Sequence, residues 1–115
     1  MTLNFWFFLL IAGMVALGGC SSAKPPENQK PDFARGNQIF NGFCVECHLN
    51  SESEAPQLDE ADDWDLRTHQ WVAVLKDHVK SGFLGMPAQG GHPELSSQNI
   101  SDALYFMEVK IRSLP

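Results

Sequence analysis

Cys44-Val45-Glu46-Cys47-His48 constrains this chain more than any other stretch. Two thiols three residues apart, followed at once by an imidazole, have the spacing of covalent haem attachment. Each thiol adds to one vinyl group, leaving two thioether bonds, and the next residue brings its imidazole under the iron. A helical turn through the segment suits this, because both sulfurs must reach one side of the same porphyrin. Two other chemistries use cysteine pairs. A redox dithiol would follow a strand in a βαβ context, and no such pattern surrounds the motif. A structural zinc site would need four ligands, whereas His69, His78 and His92 are scattered singly. The motif therefore predicts one haem c bound through Cys44 and Cys47, with His48 on the iron.

The 115 residues allow one domain with a modest core. Phe5 to Leu17 form an almost unbroken apolar run. At about a dozen residues it falls short of the roughly 20 that span a bilayer, and it suits the hydrophobic part of a secretory signal. It closes with Leu17-Gly18-Gly19-Cys20, which resembles a bacterial lipobox. Residues 1–19 then read as a lipoprotein signal peptide and Cys20 as the lipidated N-terminus. Met1 to Asn4 lack the Lys or Arg with which such signals open, and an uncleaved N-terminal anchor is the competing reading. Both readings give an exported domain, membrane-anchored on the periplasmic or other extracytoplasmic side. Residues 20–31 carry Pro25, Pro26 and Pro31 and no large apolar side chain after Cys20, so they read as a flexible tether. Two or more acyl chains hold a protein on a bilayer where one does so only marginally.

The folded domain is expected over 32–115. Asp32 suits the N-cap of a short helix containing Ala34, Ile39 and Phe40, ending near Asn41-Gly42. Seven carboxylates and no Lys or Arg fall between Glu52 and Asp65, which reads as a solvated loop, with a docking surface as the alternative. Ala55-Pro56-Gln57-Leu58 interrupts that run and predicts local contact with the core. The spacing predicts a second helix from about Thr68 to Ser81, stopped by Gly82. Val72, Leu75 and Val79 form its buried stripe, and His78 on the stripe's edge reads as a packed structural residue. A final helix runs from about Ser97 to Arg112. Ile100, Ala103, Leu104, Met107 and Ile111 follow its period, with Tyr105 and Phe106 on the flanks. No strand pair is evident, so the fold class is all-α, three to five helices around one haem.

Between those helices lies Gly82-Phe83-Leu84-Gly85-Met86-Pro87-Ala88-Gln89-Gly90-Gly91. Iron that carries electrons needs a second axial ligand, and a thioether is the soft donor that raises the haem potential. Beyond Cys20 the only methionines are Met86 and Met107. Met107 falls on a helical apolar stripe, where Met is usually filler. Met86 precedes a proline, which holds it extended, and glycines on both sides permit a close approach to the porphyrin. Met86 is the expected ligand, with the histidines as the remaining candidates.

Over roughly residues 33–112 the domain resembles the class I c-type cytochromes, and in detail the cytochrome c5 group of bacterial electron carriers. The resemblance rests on Gly36, Phe40, Cys44 to His48, Pro56, Leu58, Trp64, Arg67, Leu75, His78, Gly82-Phe83, Met86-Pro87, Gly90-Gly91, Phe106 and Met107. It implies a small class I cytochrome c fold in which Gly36 and Phe40 cross the C-terminal helix near Phe106. The Pro56 carbonyl would accept a hydrogen bond from the ring nitrogen of His48 that does not bind iron, fixing the tautomer. Leu58, Trp64 and Arg67 would lie near the haem, with Arg67 pairing a propionate. Members of the c5 group commonly carry a further cysteine pair, one of them directly after the Gly-Gly. Here His92 holds that position, and all three cysteines have other roles.

These parts predict a monomeric one-electron carrier ligated by His48 and Met86, not an enzyme, since no acid–base pair or nucleophile is evident. The net charge of −6 lies wholly after residue 19 and favours redox partners with basic docking surfaces over nucleic acid. Two alternatives remain: a haem sensor or enzyme with a labile sixth ligand, and a fixed haem subunit of an oxidase or dehydrogenase.

Overall fold

In the computed structural model, residues 28–67 and 72–115 are described. The signal and tether readings for 1–27, Cys20 among them, and the predicted helix start at Thr68 to Trp71 lie outside the described residues. The architecture is helical throughout: α1 Phe33–Ile39, α2 Val45–His48, α3 Ala61–Trp64, α4 Val72–Ser81 and α5 Ser97–Ile111. Among the described residues the only extended pairing is an isolated bridge between Phe83 and Met86, and no helix is long and apolar enough to cross a membrane.

The N-terminal helix starts where the sequence places it. Asp32 is extended and its side chain accepts from the Arg35 N–H at 2.8 Å, capping α1. The predicted end near Asn41-Gly42 is corrected. Phe40–Cys44 continues the helix as a π-turn, in which the Val45 N–H reaches the Phe40 carbonyl, and runs directly into α2. Gly42 does not break the chain here because helical φ/ψ are open to glycine. An added side chain there would meet nothing within 4 Å. Such π-turns insert an extra residue without ending the helix, and this one sets the rotation at which the motif leaves α1.

Helix α5 is the platform. Ser96 and Asn99 cap it reciprocally, and its buried row is Gln98, Ile100, Asp102, Ala103, Phe106 and Met107. Phe106, expected on a flank, is instead a centre of the core, 4% exposed. Phe33 and Phe40 of the preceding helical segment pack on its ring at 5.2 and 5.4 Å between centroids. Gly36 makes that crossing possible: a Cβ added there would lie 2.1 Å from the Asp102 carbonyl oxygen. Phe40, Leu58, Trp64, Phe106 and Met107 form one cluster, against which Cys44, Val45 and Ile111 pack.

A polar joint locks the same crossing. Asp102 is fully buried. It accepts from the Asp32 N–H at 2.9 Å, from Arg35 Nε at 2.9 Å and from Gln98 Nε2 at 3.0 Å. Burial by itself would raise the Asp102 carboxyl, but the donors from Arg35, Asp32 and Gln98 outweigh it and hold it below the usual carboxylate range. Its own hydrogen bond to Asp102 raises Arg35 above the ordinary guanidinium value.

The stripe predicted on α4 is also corrected. The helix ends at Ser81 and Gly82 follows at φ +82, as a stop signal should. Yet Val72 is 54% exposed, Leu75 and Val79 are half-buried, and no residue of α4 is fully buried. Periodicity identifies the apolar face of a helix, whereas its cover depends on a neighbour. The polypeptide gives α4 contact with α5 and the Ala88–Gly91 turn but no place in the main cluster.

Candidate functional site

Cys44 ends the π-turn and Cys47 and His48 lie on α2, so the three follow one another along one continuous helical segment. Cys44 is half-buried against the core cluster and Cys47 is exposed. Burial, with a smaller contribution from Cys47, pushes the Cys44 thiol up to about 11, so before attachment it is a protonated thiol at neutral pH. Thioether formation removes that titration altogether.

The segment after α2 wraps back over it. His48 Nδ1 lies 2.8 Å from the Pro56 carbonyl oxygen, the Leu58 N–H donates to the His48 carbonyl at 2.7 Å, and Gln57 Nε2 donates to the Cys47 carbonyl at 3.0 Å. The carbonyl can only accept, so Nδ1 carries the proton and Nε2 keeps its lone pair. Nε2 has no protein hydrogen-bond partner among the described residues. Proline supplies a carbonyl with no N–H of its own to satisfy.

Trp64 closes the other side. Its indole N–H donates to the Gln57 carbonyl at 2.6 Å, its ring lies 6.2 Å from that of His48, and it is 7% exposed. Asp63 caps the wrap by accepting from the Gln57 N–H at 2.8 Å. Leu58 is buried, 6% exposed. Arg67 is exposed and its guanidinium donates to the Asp63 carbonyl within its own turn. Thus Pro56, Leu58 and Trp64 are gathered around His48, while Arg67 is exposed and bonded to the Asp63 carbonyl. Gln57, which sequence reasoning passed over, links the Cys47, Ala55 and Trp64 backbone or indole groups. The only signal was its place beside Pro56 in the apolar break of the acidic run.

Met86 lies on a separate loop and is half-buried. Phe83 and Met86 exchange both backbone hydrogen bonds at 3.0 Å, closing a two-residue turn with Leu84 at φ +51. Gly82, Gly90 and Gly91 all have positive φ. At Gly82 an added Cβ would meet the Ala88 nitrogen at 2.9 Å, so this position needs glycine twice over. The competing histidines are engaged elsewhere: His78 stacks on Phe83, and His92 meets the Phe43 ring edge-on and lies 3.3 Å from Glu94 Oε1. His69 lies outside the described residues.

Two thiols, one imidazole with its outer nitrogen committed and its inner nitrogen free, and an adjacent apolar cluster fit a haem. They do not fit tetrahedral zinc, since among the described residues no three His, Cys, Asp or Glu side chains are gathered for a metal ion. A family of proteins described as cytochrome c oxidase, cbb3-type, subunit III matches residues 31–107. The chain belongs to the cytochrome c family. It is a class I c-type cytochrome, and haem c, attached through Cys44 and Cys47, is its cofactor.

Two relatives and one solved structure are similar to this chain. A cytochrome c-555 of Prosthecochloris aestuarii is 30% identical over 84 residues, covering 66% of this chain and 85% of that protein. A thiosulfate dehydrogenase of Thiomonas intermedia (strain K12) is 29% identical over 99 residues, 76% of this chain but only 30% of that protein. Among solved structures, a chain from a crystal structure of an electron-transfer complex of nitrite reductase with cytochrome c superposes with a TM-score of 0.65. It is 25% identical, and the match covers 72% of this cytochrome and 100% of that chain.

Proposed function

We propose that this cytochrome is a membrane-tethered, monohaem one-electron carrier without substrate turnover of its own, whose iron is ligated by His48 and Met86. The observation that carries the reading is the 2.8 Å contact between His48 Nδ1 and the Pro56 carbonyl, which leaves Nε2 available. Haem supplies the one-electron chemistry, cycling between ferric and ferrous iron. The Pro56 carbonyl holds the imidazole in one tautomer and orientation and raises its basicity. The Met86 thioether favours the ferrous state as a soft donor, and its loop is held by paired backbone bonds to Phe83. With His48 and Met86 both on the iron, no axial position would stay open to a substrate.

Cys20 as a lipidated N-terminus, with residues 20–31 as tether, places the domain on the extracytoplasmic face of a membrane and lets it reach partners there. The acidic balance of −6 suits basic docking surfaces on those partners, as one-electron exchange between separate proteins requires brief encounters. The solved complex with nitrite reductase is the kind of encounter this reading implies.

The test is carbon monoxide. Ferrous wild-type protein should be low-spin and bind it slowly at neutral pH, whereas Met86→Ala should bind it readily and have a lower potential. Rapid binding by the wild type would refute the carrier reading in favour of an open-site sensor or enzyme. A second reading, that the domain is a fixed oxidase subunit, draws on the family description. Co-purification with a larger complex after mild detergent extraction would support it.

A further inference from the structure

His78 and Phe83 form the closest ring pair in the described residues, with centroids 3.9 Å apart and planes inclined by 6°. The pair lies outside the core cluster of Phe40, Leu58, Trp64, Phe106 and Met107. The imidazole covers one face of the Phe83 ring, which the polypeptide leaves 47% exposed. His78 sits in the last turn of α4, a regular helix, three residues before the Ser81 end.

Phe83 is also the residue whose backbone N–H and carbonyl both bond to Met86, at 3.0 Å each. The chain of contact is therefore α4, the His78 ring, the Phe83 ring, the Phe83 backbone and the Met86 backbone. Leu84, Gln89, Gly82, Gly90 and Gly91 all have positive φ, and the other hydrogen bonds described in the loop tie it from Pro87 onward, after Met86. Ahead of Met86, the described contacts that hold the turn are the Phe83 pairing, the His78 stack and the close packing of Gly82 against the Met86–Ala88 backbone.

We propose that His78 is a positioning residue for Met86, acting through its stack on Phe83 to hold the thioether on the iron. This rests on the reading of Met86 as axial ligand. The contribution is geometric, since a flat ring on a rigid helix registers the turn that carries the ligand.

Exogenous imidazole, which competes with Met86 for ferric iron, is the probe, together with the sulfur-to-iron charge-transfer band in the near infrared. An aromatic pair is worth enough that His78→Ala should tighten apparent imidazole binding roughly threefold to tenfold and weaken the band. His78→Phe should restore both. Asp102→Asn, which loosens the remote α1–α5 crossing, should leave imidazole affinity at the wild-type value despite its lower thermal stability. His78→Ala with wild-type affinity and band would overturn the proposal while leaving Met86 as ligand. Failure of His78→Phe to rescue would overturn the stacking role. A wild type indistinguishable from Met86→Ala in both measurements would instead overturn the Met86 reading, and the positioning role with it.

Discussion

Gly36→Ala should unfold the α1–α5 crossing by a calculable amount. A Cβ at this position would lie 2.1 Å from the Asp102 carbonyl oxygen, 2.7 Å from its carbon and 2.8 Å from Phe106 Cβ. A tolerable carbon–oxygen approach is about 3.3 Å, so the two helices must part by about 1 Å. Neither obstacle is the end of a flexible side chain, since one is α5 backbone and the other the root of Phe106. The movement would lift Phe33 and Phe40 from the Phe106 ring and lengthen the bonds converging on Asp102. Overpacking of this kind costs about 3 kcal/mol, and the better helix propensity of alanine returns about 1 kcal/mol. A net loss of about 2 kcal/mol lowers Tm by roughly 8–16 °C in a domain of this size. The assay is thermal unfolding of the haem-loaded protein, followed by far-ultraviolet circular dichroism and by the Soret band. Gly42→Ala, where nothing lies within 4 Å, is the matched control and should be neutral or stabilising. Equal melting of the two variants would refute the close-approach argument.

Asp102 should show itself in acid. Its folded-state carboxyl is held below the ordinary value of 3.8, so the unfolded chain binds more protons as pH falls through that window. The stability it contributes is complete above about pH 4 and is lost as pH drops through the lowered value. Wild-type Tm should therefore fall more steeply below about pH 4 than that of Asp102→Asn, and parallel curves would contradict the assignment. Leu84, 89% exposed at φ +51, should accept glycine without loss, while Leu84→Val should destabilise by about 1 kcal/mol because a β-branched residue resists that conformation. Denaturant titration of the three proteins would measure this, and a valine variant as stable as wild type would show the turn to be unstrained.

Features encoded within a turn or two of chain were legible from the residues alone. The spacing of Cys44, Cys47 and His48 specified covalent haem because the chemistry depends on which side chains follow one another. Asp32 as N-cap and Gly82 as stop follow from local backbone hydrogen bonding and φ preference, which need no distant partner. Residue spacing also placed helices after Asp32, at about 68–81 and at about 97–112, where the described residues form Phe33–Ile39, Val72–Ser81 and Ser97–Ile111, since periodicity reports a helix before it reports what the helix meets. What the residues could not reveal were quantities set by a neighbour far along the chain. Asp102 drew no reading from the residues alone, and its buried carboxylate is paired with Arg35, 67 positions earlier. Phe106 looked like a flank until Phe33 and Phe40 crossed it. Val72 looked buried, but no part of the polypeptide covers it enough to bury it. The end expected at Asn41-Gly42 became a π-turn because packing of Phe40 and Cys44 into the same cluster keeps the chain helical there. An apolar stripe or a lone carboxylate carries the same local signal in either environment, and only the folded chain brings up the partner that decides between them.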